Sequence, residues 1–242
     1  MLNLPKRLLQ FLLPSQCVVC ERFLEVEQEG FCPECFSQIR WIGPPFCTCC
    51  GMPFPSEEIE SHLCGPCLTE KKYFTMARAS GSYEGPLREA IHRWKYEGRD
   101  NLTPFLGEIL VGTFHRYWDV SSFDLLLPVP LHPKRLRERG FNQALLLAKH
   151  LHRRTRIPYK KGLLRKRIAT PPQIQLSGKE REKAVKGSFV IRDEEAIEGR
   201  RILLIDDVYT TGATVNECSK LLRRGGAERV DVLTLAHALK RS

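Results

Sequence analysis

Two adjacent carboxylates, Asp206 and Asp207, end the apolar run Ile202–Ile205 and are followed by Thr210, Thr211, Gly212, Ala213 and Thr214. A continuous apolar run of this length is expected of a strand buried on both faces of a parallel sheet. Small residues let backbone N–H groups close around a phosphate at the start of the next helix, where the helix dipole favours an anion. The threonine hydroxyls add donors. Carboxylates beside that cradle accept from vicinal hydroxyls or hold Mg²⁺ through water. Together these groups describe a ribose 5-phosphate site, without the G-x-x-x-x-G-K-[ST] order of a nucleoside triphosphate loop. The blander reading, a strand whose acidic turn caps a helix, does not explain why every element of such a site occurs in order.

A second chemistry lies in the cysteines. Of ten, nine fall between positions 17 and 67, and eight of these form C-x-x-C pairs: Cys17/Cys20, Cys32/Cys35, Cys47/Cys50 and Cys64/Cys67. A C-x-x-C turn presents two thiolates to one ion, and two such knuckles complete a tetrahedral zinc site. Eleven residues separate Cys20 from Cys32 and thirteen separate Cys50 from Cys64, so one ribbon unit is repeated. The simplest assignment gives each half one zinc; pairing the first knuckle with the third and the second with the fourth uses the same eight ligands. Cys50-Gly51 and Cys64-Gly65 place glycine where a knuckle often needs positive φ. Cys49 is the extra thiol, and His62 reads as a bystander. Because residues 1–75 carry 6 basic and 9 acidic side chains, a structural or protein-docking role is expected of this module.

The elements that must position these groups follow from pattern. A helix is expected over about 214–224, with Val215, Cys218, Leu221 and Leu222 inward; Gly225-Gly226 stops it, and Val230–Ala236 is the next strand. Asp124–Pro130 is a further strand, 142–152 a helix, and Leu163–Arg167 a short strand ending in charge. Leu87, Ile91 and Trp94 define a helix that leaves Arg88, His92 and Lys95 more exposed. Trp94, Tyr96 and Arg99 offer base stacking beside positive charge, although aromatics at helical spacing are commonly core. The stretch from about Thr170 to Gly187 reads as a long loop, and Met1–Pro14 as a short amphipathic helix docked on the protein, with membrane attachment the minor alternative.

At 242 residues, 42% hydrophobic and 27% charged, the chain is globular and has room for two domains, expected at 1–75 and 76–242. No apolar run approaches the roughly 20 residues of a membrane span, and no export signal is evident, which points to the cytoplasm, where paired cysteines bind metal more often than they form disulfides. Net charge is +10, all of the excess lying after residue 75; between Lys134 and Arg167 there are 13 basic residues and one acid, Glu138. Such a field favours polyanions.

The segment I-L-L-I-D-D-V-Y-T-T-G-A-T resembles the phosphoribosyl diphosphate signature of type I phosphoribosyltransferases. With the four knuckles upstream, Pro128–Pro130, R-G-F-N-Q-A at 139–144 and T-P-P-Q at 170–173, nearly the whole chain resembles the ComF family of competence proteins. The resemblance implies an α/β fold: a type I phosphoribosyltransferase-like core with a mainly parallel sheet, preceded by a small double zinc ribbon. It implies Mg²⁺ with phosphoribosyl diphosphate as ligand, Asp206 and Asp207 as the catalytic pair on the ribose hydroxyls, and Thr210 to Thr214 around the 5-phosphate. The loop around Leu131, His132, Lys134, Arg135 and Arg139 is expected to cradle the diphosphate, with Arg139 and Gly140 foremost and Arg135 and Arg137 as outer charges. Arg165 and Lys166 complete the phosphate-binding set. The loop following them is expected to close over the site, and Ala184 stands where the family often has Asn. Also implied are single-stranded DNA as partner, a helicase-like competence protein docked on the zinc module, and a place in natural transformation; the alternative is an active phosphoribosyltransferase acting on a base or amine. The Lys95-Tyr96-x-Gly98 element matches the family without an evident role.

Overall fold

The computed structural model describes residues 15–25, 30–55, 60–168 and 184–239. The amphipathic segment 1–14 and the closing loop at 169–183 lie outside these residues.

Two short helices belong to the cysteine-rich part, α1 (Pro33–Ser37) and α2 (Gly65–Thr69). The α/β part then runs β1 (Ala77–Ser82), α3 (Gly85–Tyr96), α4 (Thr103–Tyr117), β2 (Leu125–Pro128), α5 (Pro133–Arg139) and α6 (Gln143–Thr155). It continues through β3 (Leu164–Lys166), β4 (Phe189–Ile191), β5 (Arg201–Tyr209), α7 (Ala213–Arg224) and β6 (Arg229–His237). Four strands form one parallel sheet in the order β1-β6-β5-β2, and β3 and β4 form a separate antiparallel pair. The expected strands are therefore present, and the apolar run ending in Asp206-Asp207 is central, between β6 and β2.

Alternation along β5 divides the core. Leu203 and Ile205 pack on one face with α3, α4 and α6. Ile202 and Leu204 pack on the other with Leu222 of α7 and Phe189 of β4. Each cysteine cluster joins a different face. Cys17, Cys32 and Cys35 share the cluster of α3 and α4, whereas Cys47 and Cys50 share that of Tyr209, Val215 and Cys218. Arg78, buried on β1, donates from Nη1 and Nη2 to the Thr48 carbonyl and ties the second ribbon to the sheet edge.

One expectation is corrected. The sequence pattern predicts a loop after β2, but Pro133–Arg139 is a helix. Pro133 stands at its first position, the His132 side chain accepts from Lys134 N, and Gly140 ends it, the ordinary start and stop signals of a helix.

Candidate functional site

Parallel strands deliver their carboxyl ends to one edge of the sheet, where α/β proteins bind ligands. A cavity of about 550 Å³ opens there, lined by the ends of β5 and β6, the start of α7, α3, α5 and Lys166. Asp206, Asp207, Thr210, Gly212, Thr214, Arg139 and Lys166 all line it. Lys134, Arg165, Thr211 and Ala213 do not. The reasons are geometric. Lys134 lies on the exposed side of α5, while Arg135 and Arg139, one helical turn apart, face the cavity. Arg165 is exposed and its neighbour Lys166 is not, because successive strand residues point to opposite faces. Thr211 Oγ1 accepts from Ala213 N at 3.3 Å and caps the turn from within.

The turn depends on Gly212. Its φ is +76°, and a Cβ there would lie 2.5 Å from Tyr209 Cζ and against the phenol oxygen. No L side chain fits both conditions. Gly212 leads directly into α7, so that the helix N-terminus faces the cavity.

The acid pair is asymmetric. Asp207 Oδ1 lies 2.8 Å from Lys95 Nζ, with the two side chains 14% and 10% exposed. Asp206 Oδ1 accepts from Asp207 N at 2.9 Å. Burial, and then the neighbouring Asp207 charge, push Asp206 up to about 7, against the pull of Lys95 and Lys166. Burial in turn lowers the Lys166 ammonium, with Arg135 acting in the same sense.

Arg88, Lys95, Arg135, Arg139 and Lys166 thus surround two carboxylates, a surplus of cations suited to a polyanion. Arg139 Nη2 donates to Tyr96 Oη at 3.1 Å with its guanidinium 5.0 Å from the ring centroid; its buried Nε has no partner among the described residues. The Lys95-Tyr96-x-Gly98 element therefore touches both halves of the site, Lys95 at the acid pair and Tyr96 at Arg139. Sequence reasoning noted this element without its role, because contact across α3, α5 and β5 has no local signature. Of the two readings the sequence allows for Arg135, diphosphate cradle and outer charge, the cavity lining matches the first, and Tyr83 and Tyr209 line the cavity as well without having been singled out by pattern. Trp94 does not offer a stacking face: it is fully buried and donates from Nε1 to Thr103 Oγ1 at 3.1 Å. Arg99 is exposed and pairs with Glu97.

The cysteines resolve into consecutive halves. In each of the sets Cys17/Cys20/Cys32/Cys35 and Cys47/Cys50/Cys64/Cys67, the Sγ atoms lie within 4.8 Å of one another. Sγ–Sγ separations of 3.7 Å (Cys20–Cys32) and 3.6 Å (Cys50–Cys64) match the edge of about 3.8 Å expected for a tetrahedron with Zn–S of about 2.3 Å. Backbone amides point at the sulfurs: Cys35 N at Cys32 Sγ, and Cys50 N and Cys64 N at Cys47 Sγ. Burial pushes the Cys17 and Cys47 thiols up, but amide donors outweigh it and bring both down to about 6, those of Cys20, Cys32 and Val19 at Cys17 and those of Cys64, Cys50 and Cys49 at Cys47. The donor chemistry fits zinc. Gly51 has the expected positive φ of +73°. Gly65 instead opens α2, and Glu21, φ +60°, takes the place in the first ribbon that Gly51 takes in the second. His62 is not a ligand; its ring stacks on Phe54 at 4.3 Å.

Residues 8–68 match the family described as a double zinc ribbon domain, and residues 142–242 match the phosphoribosyl transferase domain. Competence protein F of Haemophilus influenzae is 33% identical over 227 residues, covering 92% of this chain and 97% of that protein. The chain belongs to the ComF family. DNA utilization protein YhgH of Escherichia coli K12 is 32% identical over 231 residues (94% of this chain, 99% of that protein). Competence protein ComFC of Bacillus subtilis is 29% identical over 220 residues (88% and 86%). The ComF fold is thus a phosphoribosyltransferase-like α/β core carrying a double zinc ribbon. No helix among the described residues is long and apolar enough to cross a membrane.

Proposed function

We propose that this ComF-family chain binds phosphoribosyl diphosphate with Mg²⁺ in the cavity and acts on single-stranded DNA in the cytoplasm during natural transformation. The carrying observation is that one cavity gathers the acid pair, the Gly212 turn at a helix N-terminus, and Arg135, Arg139 and Lys166. In this reading the amides of the turn and the Thr210 and Thr214 side chains hold the 5-phosphate. Asp206 and Asp207 accept from the ribose hydroxyls, and the cations of α5 and β3 hold the diphosphate. Mg²⁺, a hard cation seeking oxygen, fits the carboxylate pair through water and would neutralise diphosphate charge. For that, Asp207 must exchange its contact with Lys95.

The DNA assignment draws on the relatives called competence protein F and DNA utilization protein YhgH, and on the placement of the basic stretch. Tyr159 bridges in parallel to Leu126 of β2, so the chain climbs the sheet edge from the exposed Arg153 and Arg156, past Lys160 and Lys161, to Lys166 at the cavity. That course suits a phosphate backbone. Exposed Phe23, Phe36 and Trp41 on the first ribbon suit the docking of a helicase-like protein partner.

A second reading, transfer of the phosphoribosyl group to a base or amine, draws on Tyr83, His92 and Tyr96, which line the same cavity as the acid pair and give a planar acceptor a surface. Calorimetry with phosphoribosyl diphosphate and Mg²⁺ tests the ligand; saturable binding is expected, and its absence overturns both readings. Binding of a single-stranded oligonucleotide that weakens steeply with salt is expected for the first reading. Diphosphate release with an added acceptor decides for the second.

A further inference from the structure

The zinc ribbons are easily taken for an appended module, yet the second one shares a buried core with Tyr209 and Val215, which flank the Gly212 turn. Tyr209, the last residue of β5, is 5% exposed and is held on several sides. Its ring stacks on His237 at 4.6 Å and meets Phe74 edge-on at 6.4 Å. Its phenol end fills the space a Gly212 side chain would need. Cys47, Cys50, Phe74, Tyr209 and Val215 share one buried cluster, against which Cys49, Cys64 and Cys67 pack.

A second connection runs through Asn216 in the first turn of α7. Its Oδ1 accepts from Tyr73 N at 2.8 Å and its Nδ2 donates to the Lys71 carbonyl at 3.2 Å. Lys71 and Tyr73 follow shortly after Cys67 and α2. The backbone N of Asn216 also donates to the Gly212 carbonyl at 2.8 Å. Metal held by the second cluster fixes this segment, and the segment fixes the start of α7.

Among the described residues the first cluster has no such relation to the turn. It packs with α3 and α4: Arg93 pairs with Glu21 and donates to the Val19 carbonyl, and Gly30 lies against the ring of Phe105. The two clusters therefore provide their own internal comparison.

We propose that the second cysteine cluster is the support of the phosphate turn, acting through Tyr209 and Asn216, so that zinc retention at Cys47/Cys50/Cys64/Cys67 and ribose-phosphate binding at Gly212 are coupled equilibria. This deepens the proposed function and rests on it only for the identity of the ligand. Coupling of binding equilibria is reciprocal: if zinc strengthens ribose-phosphate binding, ribose phosphate slows zinc loss by the same thermodynamic factor.

The test uses the full zinc-loaded chain. Hydrogen exchange at residues 210–216 is measured without ligand in the parent, in Cys67→Ser, which breaks the second cluster, and in Cys20→Ser, which breaks the first. Exchange about tenfold faster is expected in Cys67→Ser, with little change in Cys20→Ser. Asn216→Ala, which leaves all eight cysteines intact, guards against general unfolding and is expected to speed exchange in the same segment by a smaller factor. Zinc transfer to a chromogenic chelator is then followed with and without ribose 5-phosphate. Slower release is expected from the second cluster alone, and Asn216→Ala and Tyr209→Leu should diminish that protection. Equal exchange in the parent, Cys67→Ser and Asn216→Ala overturns the support, whatever the ligand. If exchange responds but ribose 5-phosphate neither binds nor slows zinc release, the support stands and the ligand assignment fails.

Discussion

Asp206 gives the most direct measure of the electrostatics of the site. In the folded chain its carboxyl is raised from 3.8 to about 7 by burial and by Asp207. A carboxyl that holds its proton more tightly when folded weakens the fold as pH rises through the interval between the two values, and most above the upper one. The interval corresponds to at most about 4 kcal/mol, partial exposure to the cavity reducing it, and roughly half develops between about pH 5.5 and pH 8.5. Asp206→Asn removes the ionisation while keeping an acceptor for Asp207 N, a bond of 2.9 Å in the parent. The variant is therefore expected to gain on its parent, by an amount that grows by up to about 2 kcal/mol across that range and levels off above about pH 8. Denaturant unfolding of both zinc-loaded proteins at matched pH measures this, and comparing the two cancels the pH dependence common to the thiolate sites. The same substitution is expected to weaken binding of phosphoribosyl diphosphate, the usual conflict between a strained site and stability. A stability difference that is independent of pH, or that shrinks as pH rises, refutes the reasoning.

Three further outcomes are expected. Gly212→Ala places a methyl group at φ +76° against the Tyr209 ring and should lower stability by about 1–3 kcal/mol in denaturant unfolding, with more than about tenfold loss of ribose 5-phosphate affinity by calorimetry. Lys95→Met takes the cation 2.8 Å from Asp207 away. Calorimetry with each ligand alone should then show Mg²⁺ bound about tenfold more tightly and ribose 5-phosphate more weakly, because the acid pair loses its counter-charge. Elemental analysis of the full chain should find two zinc ions, and a thiol reagent should label Cys49, the partly exposed cysteine outside both clusters, in preference to the eight ligands and buried Cys218 until a chelator is added.

Much of the site was legible because its signals are local. The strand ending in Asp206-Asp207, the small-residue turn and the four knuckles each lie within a few residues, where steric and coordination requirements act on the sequence itself. The segment after β2 is less legible. His132, Pro133 and Gly140 are helix start and stop signals, and read as a loop the segment offers no way to separate Lys134 from Arg135. In a helix, Arg135 and Arg139 share a face. Arg165 and Lys166 were indistinguishable as sequence, and only the facing of β3 separates them.

The amino-acid sequence alone determined that a small-residue turn follows a buried parallel strand ending in Asp206-Asp207, and that eight cysteines stand in four C-x-x-C knuckles. Both depend on residue types at short spacing, since backbone geometry and metal coordination are satisfied within a few residues. The tertiary structure decided which charges meet. Lys95 reaches Asp207 across more than a hundred residues, Arg139 stacks on Tyr96, and the second cysteine cluster shares a buried core with Tyr209 and Val215 on either side of Gly212. Those pairings follow from how α3, α5 and the second ribbon pack around the carboxyl ends of the strands, a consequence of the whole core that no single segment encodes.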